Sequence, residues 1–320
     1  MVSKVALEEH FLCPGFETYW QSTVGNVDPE RLQPLLQRLS DFGEQRLSGM
    51  KDAGISRAVL SLAGPGVQME RDAGVAVRLA KQANDFLAQK IGDNRKSYSG
   101  FAHLPMQDPQ AAADELRRCV QDLQFCGAMI NGHTNGVYLD DARYDAFWER
   151  AQALNTTIYI HPNDPVAESP ALAGHPALKR ATWEWTFETG THALRLVFGG
   201  VFDRFPKLKI VLGHLGETLP YLLWRFDSRA KLYGVKLSKK PSEYIRENMR
   251  VTTSGMFSNE PLRCAIDAMG VGCVMFSADY PFESMKEAGE FFDAAKISDR
   301  ERLLVGYENA NNLLNLAEKG

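Results

Sequence analysis

Short apolar runs rich in β-branched residues recur along the chain, and each leads into a polar residue or a glycine before a longer stretch with helical spacing. Val5-Ala6-Leu7 runs into Glu8-Glu9-His10. Seven further runs follow at 57–62, 98–104, 127–132, 156–161, 209–214, 250–255 and 273–279. Between them, residues 75–87 place Ala76, Leu79, Ala80, Ala83 and Leu87 on one helical face, Asp108 and Pro109 open a helix over 111–123, and a third spans 141–154. Eight strand-then-helix units predict an α/β fold, a parallel (β/α)₈ TIM barrel formed by a single domain over residues 1–320. A doubly wound open sheet is the alternative architecture. It lacks support from any Gly-x-Gly-x-x-Gly after a strand or any Walker-type loop. Long loops are expected after strands 1 and 5, over 11–45 with Tyr19 and Trp20 and over 162–190 with Trp183 and Trp185. Excursions at strand C-ends commonly build binding sites.

Composition narrows the function classes. The 320 residues are 44% hydrophobic and 24% charged with a formal net charge of −4, which gives no electrostatic basis for binding nucleic acid or an anionic membrane. The five cysteines, Cys13, Cys119, Cys126, Cys264 and Cys273, are odd in number and contain no Cys-x-x-Cys pair, so neither a disulfide framework nor a thiolate zinc site is expected. No basic start precedes an apolar signal core and no apolar run reaches the ~18–20 residues of a membrane span, so the chain is read as cytoplasmic.

Polar chemistry gathers at one end of the predicted strands. Glu8 and His10 end the first, Asn131 and His133 the fourth, His161 the fifth, His214 the sixth and Asp279 the eighth. Parallel barrel strands point their C-ends to one face, so these side chains converge. The two-residue period of a strand puts Glu8 and His10 on one side and Glu9 on the other. Glu8, His10, His161 and Asp279 are therefore the expected metal ligands. Their two imidazoles and two carboxylates suit a divalent ion, Mn²⁺ first with Mg²⁺ or Zn²⁺ as alternatives, and leave coordination positions for water or substrate. His103, His133, His175 and His192 are read as surface or capping residues.

Whole segments resemble a known family. Lys4-Val5-Ala6-Leu7-Glu8-Glu9-His10-Phe11, Ile160-His161-Pro162, Gly199-Gly200-Val201-Phe202-Asp203-Arg204-Phe205-Pro206, Leu212-Gly213-His214-Leu215-Gly216-Glu217 and Phe276-Ser277-Ala278-Asp279-Tyr280-Pro281-Phe282-Glu283 resemble the decarboxylase branch of the amidohydrolase superfamily, and most of all its γ-resorcylate decarboxylases. Relatives acting on other hydroxybenzoates tend to carry Ala at the position of His10. The resemblance implies an amidohydrolase-type barrel that decarboxylates 2,6-dihydroxybenzoate reversibly to resorcinol and CO₂. It implies Asp279, His214 and Glu217 as catalytic residues and Asn131, Trp185 and Arg225 as contacts for a small aromatic acid, with Arg225 acting in its own or a neighbouring subunit. A homodimer or homotetramer is implied by the same analogy. Trp185 stands where the branch usually has Phe. Against this stands a metal-dependent hydrolase of a lactone or amide, which Glu8 in place of the first histidine of the usual His-x-His pair disfavours.

Overall fold

The computed structural model describes residues 2–21, 24–25 and 27–316. Met1 and residues 317–320, the ends of the expected domain, lie outside the described residues. Eight parallel strands stand side by side in sequence order: β1 (Lys4–Phe11), β2 (Ile55–Leu62), β3 (Tyr98–His103), β4 (Gly127–Asn131), β5 (Thr157–His161), β6 (Lys209–Leu212), β7 (Met249–Thr252) and β8 (Val274–Met275). β8 has only two residues and forms no ladder with β1. The ring closes instead through a lone parallel bridge, Glu9 to Tyr280, with the His10 N–H donating to the Tyr280 carbonyl at 2.7 Å. The expected barrel is therefore present, with a seam between its first and last strands.

Alternation along each strand sorts the core into two layers. Val5, Leu7, Val59, Phe101, Met129, Tyr159, Val211 and Met275 form one buried cluster inside the ring, and Ala310, Leu314 and Leu316 from the C-terminal segment join it. The other parity, including Ala6, Ala58, Ala102, Ile130, Ile158, Ile160 and Val251, packs outward with the helices. The helices form where their ends are capped and one face is apolar. Over Ala73–Asp93, Asp72 accepts from the Val75 N–H and Ala76, Ala80, Ala83 and Leu87 are buried at three- and four-residue spacing. Over Pro109–Gln121, proline occupies the first turn and Asp108 accepts from Gln110 and Ala111. The excursion after β1 is not bare loop: it carries helices at Glu17–Gln21 and Pro29–Ser40. The one after β5 is irregular, with three short 3₁₀ turns before the helix Glu184–Phe198. All five cysteines are free. No helix among the described residues is long and apolar enough to cross a membrane.

One irregularity decides what faces the barrel mouth. In the β1–β2 register Ala6 pairs with Ala58 and Glu9 with Leu60, so β1 spends three residues where β2 spends two. This extra residue is a β-bulge, and it shifts the parity of the strand. Val5 and Leu7 point inward below it. Above it Glu8 and His10 point inward, while Glu9 turns to the side of the buried Arg46.

Close strand approach also fixes a residue type at the start of β4. A side chain at Gly127 would place its Cβ 2.3 Å from the Thr157 carbonyl oxygen and 3.0 Å from the Phe101 ring. The first contact is with backbone and cannot relax cheaply. Gly127→Ala is expected to cost about 1–3 kcal/mol through overpacking, read as a lowered midpoint in thermal and urea denaturation. An unchanged midpoint would show that β4 and β5 can separate there.

Candidate metal centre and active site

Glu8, His10 and His161, all buried, offer one ligand atom each within 4.8 Å of one another. Asp279, just past β8, brings Oδ1 to 3.3 Å from His10 Nε2 and Oδ2 to 3.7 Å from His214 Nε2. Glu8 Oε1 stands 3.4 Å from His161 Nε2 and 4.0 Å from His214 Nε2. Glu8, His10 and His161 thus share one centre, and Asp279 adjoins it at His10 with His214 beside it.

The surroundings fix each ligand's orientation. Ser61 Oγ lies 3.2 Å from His10 Nδ1, and His161 Nδ1 pairs with the Pro162 carbonyl at 2.9 Å, so both Nε2 atoms turn inward. The Tyr159 phenol and the Ser254 hydroxyl donate to Glu8 Oε2, and Thr252 joins these two hydroxyls. Glu8 Oε1 and His10 Nε2 remain buried without a hydrogen bond. Buried polar atoms are almost always partnered, and two such atoms converging with His161 and Asp279 are what a divalent cation would satisfy. The donor set therefore fits a metal ion.

The electrostatics agree with that use. Burial, reinforced by His10, takes His161 down to about 3, so it is the neutral imidazole a metal requires. Burial raises Glu8 above the ordinary carboxyl range, with His214 opposing. For Asp279, burial works upward, but the His10 and His214 imidazoles prevail and hold it at about 2, ionised. Burial would lower His214, yet Glu217, Glu8 and Asp279 raise it well above 6.5, making it an imidazolium.

His214 and Glu217 meet through an unusual backbone. His214, Leu215, Gly216, Glu217 and Thr218 all have positive φ, between 49° and 80°. This left-handed turn brings His214 Nδ1 to 2.6 Å from Glu217 Oε1 across three residues. Left-handed conformation costs roughly 1–2 kcal/mol for each non-glycine residue, and such strain concentrates at functional sites. Asp279 also has positive φ, 66°.

The remaining sequence-predicted residues separate. Trp185 borders the centre: its ring stands edge-on to His161 at 6.4 Å, and its Nε1 donates to Asp164 Oδ1 at 2.8 Å. Asn131 is next to His161 across β4 and β5 but fully buried. Its N–H donates to Gln68 Oε1 at 2.6 Å, and Gln68 Nε2 donates to its carbonyl. Arg225 is exposed on the helix Leu219–Leu232 and is not among the residues gathered around the ligands. Trp20 is buried in the core, and the Tyr19 hydroxyl donates to Glu70 at 2.7 Å; neither is brought to the ligand cluster. Of the other histidines, His103 accepts from the Val67 N–H and His192 from the Leu139 N–H. An open cavity of about 710 Å³ at the barrel mouth is bordered by Gln68, Arg71, His133 and Asn163.

Sequence reasoning missed Tyr159, Ser254, Ser61, Asp164 and Phe282, whose ring meets His10 edge-on at 5.4 Å. Tyr159 had a legible signal: it lies two residues before His161 on β5 and shares its face.

A parallel barrel with a carboxylate–imidazole cluster at its C-terminal mouth is an α/β barrel with a candidate metal centre. The chain belongs to the amidohydrolase family, whose model, described as "Amidohydrolase", matches residues 27–316. Within it, the chain is 41% identical over 330 residues to the gamma-resorcylate decarboxylase of Rhodococcus jostii, covering 99% of each chain. The structure of a 2,6-dihydroxybenzoate decarboxylase complexed with 2,6-dihydroxybenzoate aligns with a TM-score of 0.94 at 40% identity, over 98% of this chain and 100% of that one. The dihydroxybenzoic acid decarboxylase of Polaromonas sp. JS666, with bound manganese and the inhibitor 2-nitroresorcinol, aligns at 0.94 and 40% identity, over 100% of this chain and 99% of that one.

Glu188, in the helix Glu184–Phe198, is a further buried acid near the site. Burial raises it from 4.5 to about 7, with Glu217 adding and Tyr138 opposing. The unfolded chain ionises this group near pH 4.5 while the folded chain keeps its proton to about pH 7. Its contribution to stability is therefore full below pH 4.5 and is lost as pH rises through 7. Glu188→Gln removes that loss. Urea denaturation should show the variant gaining on the wild type between pH 5 and pH 8, by on the order of 3 kcal/mol at most. A pH-independent difference would contradict the assignment.

Proposed function

We propose that the chain, acting as one barrel domain, is a metal-dependent, non-oxidative decarboxylase of ortho-hydroxybenzoates. Its substrate is 2,6-dihydroxybenzoate, its products are resorcinol and CO₂, and it runs in reverse at high bicarbonate. The observation that carries this reading is the position of the ionised Asp279 carboxylate, shared between the ligand cluster at His10 and the His214–Glu217 pair. The substrate is transferred from the relatives.

Glu8, His10, His161 and Asp279 would hold a divalent ion, Mn²⁺ by preference, whose positive charge would attract the anionic acid and favour ionisation of its ortho-phenol. Asp279 accepts the phenolic proton and returns it to the ring carbon that bears the carboxylate. A C–H bond forms there from the ring π electrons. The bond to the carboxylate then breaks, its electron pair restores aromaticity, CO₂ departs, and the phenolate oxygen takes a proton from solvent to give resorcinol. His214, kept cationic by Glu217, stabilises Asp279 as an anion and offers a hydrogen bond to the phenolate oxygen. Trp185, fixed by Asp164, and Phe282 flank the ring on the His161 and His10 sides. Asn131 stiffens the adjoining wall through Gln68.

The protein acts in the cytoplasm as a homodimer or homotetramer. Tyr221 and Trp224, 81% and 76% exposed, and Phe187, 68% exposed, are the apolar surface that supports this part of the reading. Arg225 lies beside Trp224, and in this reading it serves the substrate of the neighbouring copy. A monomer in analytical ultracentrifugation at micromolar concentration would remove this part.

The deciding assay follows loss of 2,6-dihydroxybenzoate and appearance of resorcinol with Mn²⁺-loaded protein, with 2,3-dihydroxybenzoate and salicylate in parallel. Turnover of the first acid is expected, and metal-loaded protein inert toward all three would overturn the reading. Asp279→Asn should lower kcat by about 10²–10⁴-fold while the fold persists, as expected for loss of a proton-transfer group. His161→Ala should lose the bound ion. A stoichiometric ion in that variant would place the metal elsewhere.

A further inference from the structure

The barrel seam holds a serine with every hydrogen-bonding site in use. The Ser277 hydroxyl accepts from the Leu7 N–H at 3.2 Å and from the Glu8 N–H at 2.6 Å, and donates to Glu9 Oε1 at 3.2 Å. One hydroxyl offers one donor and two acceptor positions, and all three are filled. The Ser277 backbone is itself anchored: its N–H donates to Thr253 Oγ1 at 3.0 Å, and its carbonyl accepts from the same hydroxyl at 2.9 Å. Glu9 also accepts from the Ala278 N–H at 2.9 Å, and Arg46 donates to the His10 carbonyl at 2.7 Å from the other side.

Leu7 and Glu8 are the residues of the β1 bulge. A two-residue β8 gives them no ladder, and buried N–H groups require an acceptor. The Ser277 hydroxyl takes the place of that missing ladder at the point where strand parity changes.

We propose that Ser277 is a positioning residue for the metal ligands: its hydroxyl holds the β1 bulge that turns Glu8 and His10 into the barrel. The inference rests on the metal-site reading above. Tyr159 and Ser254 orient the Glu8 side chain, whereas Ser277 sets the backbone from which Glu8 and His10 project. Without the bulge, the inward parity of Val5 and Leu7 would continue to Glu9, and the ligands would face the helices.

The test uses the full chain and its Ser277→Ala and Ser277→Cys variants, stripped of metal and titrated with Mn²⁺ while free ion is read by electron paramagnetic resonance. Visible spectra of the Co²⁺-loaded proteins and melting of the metal-free proteins are recorded alongside. Wild type should bind one Mn²⁺ per chain. The folded alanine variant should bind at least about tenfold more weakly (about 1.4 kcal/mol) and give an altered Co²⁺ spectrum. The cysteine variant, with a poorer acceptor, should lie between, and it decides alone if the alanine variant does not fold. A lowered melting temperature with wild-type Mn²⁺ affinity and Co²⁺ spectrum would show a merely structural serine and overturn the inference. Failure of the wild type to bind Mn²⁺ would instead remove the metal-site reading, and this inference with it.

Discussion

An extra residue in the first strand governs what the barrel mouth contains. Parallel strands alternate strictly, and β1 begins with Val5 and Leu7 inside the ring. Uninterrupted, that alternation would aim Glu9 at the centre and leave Glu8 and His10 against the helices. The bulge between Ala6 and Glu9 reverses the phase, and the same strand then serves as core below and carries the proposed metal ligands above. The bulge lies at the seam, where β8 is too short to pair, so the local departure from ladder geometry is met by side-chain hydrogen bonds. Ligand placement and barrel closure are one structural problem here.

The electrostatics follow from burial of these groups. Glu8, His10, Glu217 and His161 are all buried, and charge among them has little water to solvate it. His214 becomes cationic beside three carboxylates, His161 stays neutral, and Asp279 stays ionised between two imidazoles. One Glu8 oxygen is saturated by hydroxyl donors and the other is left bare. That asymmetry points a single oxygen at the centre.

Much of this was legible in the sequence because strand ends carry the chemistry. Polar residues closing successive apolar runs predicted the barrel and pointed to Glu8, His10, His161, His214 and Asp279 as candidate site residues, and period two put Glu8 and His10 on one face, where the structure also has them. The same rule could not say which side faced inward, because the phase depends on a bulge whose hydrogen-bond partner, Ser277, lies 269 residues beyond Glu8. Apart from Gly216, nothing in the residue types of His214-Leu215-Gly216-Glu217-Thr218 announces five left-handed residues in a row. The segment after β1 was expected as a long loop, yet it carries helices, with Pro29 opening one and Pro34 sitting within it. Arg225 was expected at the substrate from resemblance alone, and within this chain it stands exposed on the Leu219–Leu232 helix. Long-range partners and backbone handedness are tertiary properties, and local pattern does not encode them.

The seam also orders events during synthesis. Glu8 and His10 leave the ribosome first, but the partners that set their direction, Ser277 and Tyr280, and the facing carboxylate of Asp279 arrive only after every other strand has been made. A partly translated chain therefore presents no finished cation cage, however many strands it has already paired. Completion of the ring and of the proposed ligand set thus depends on the same late segment, residues 277–280.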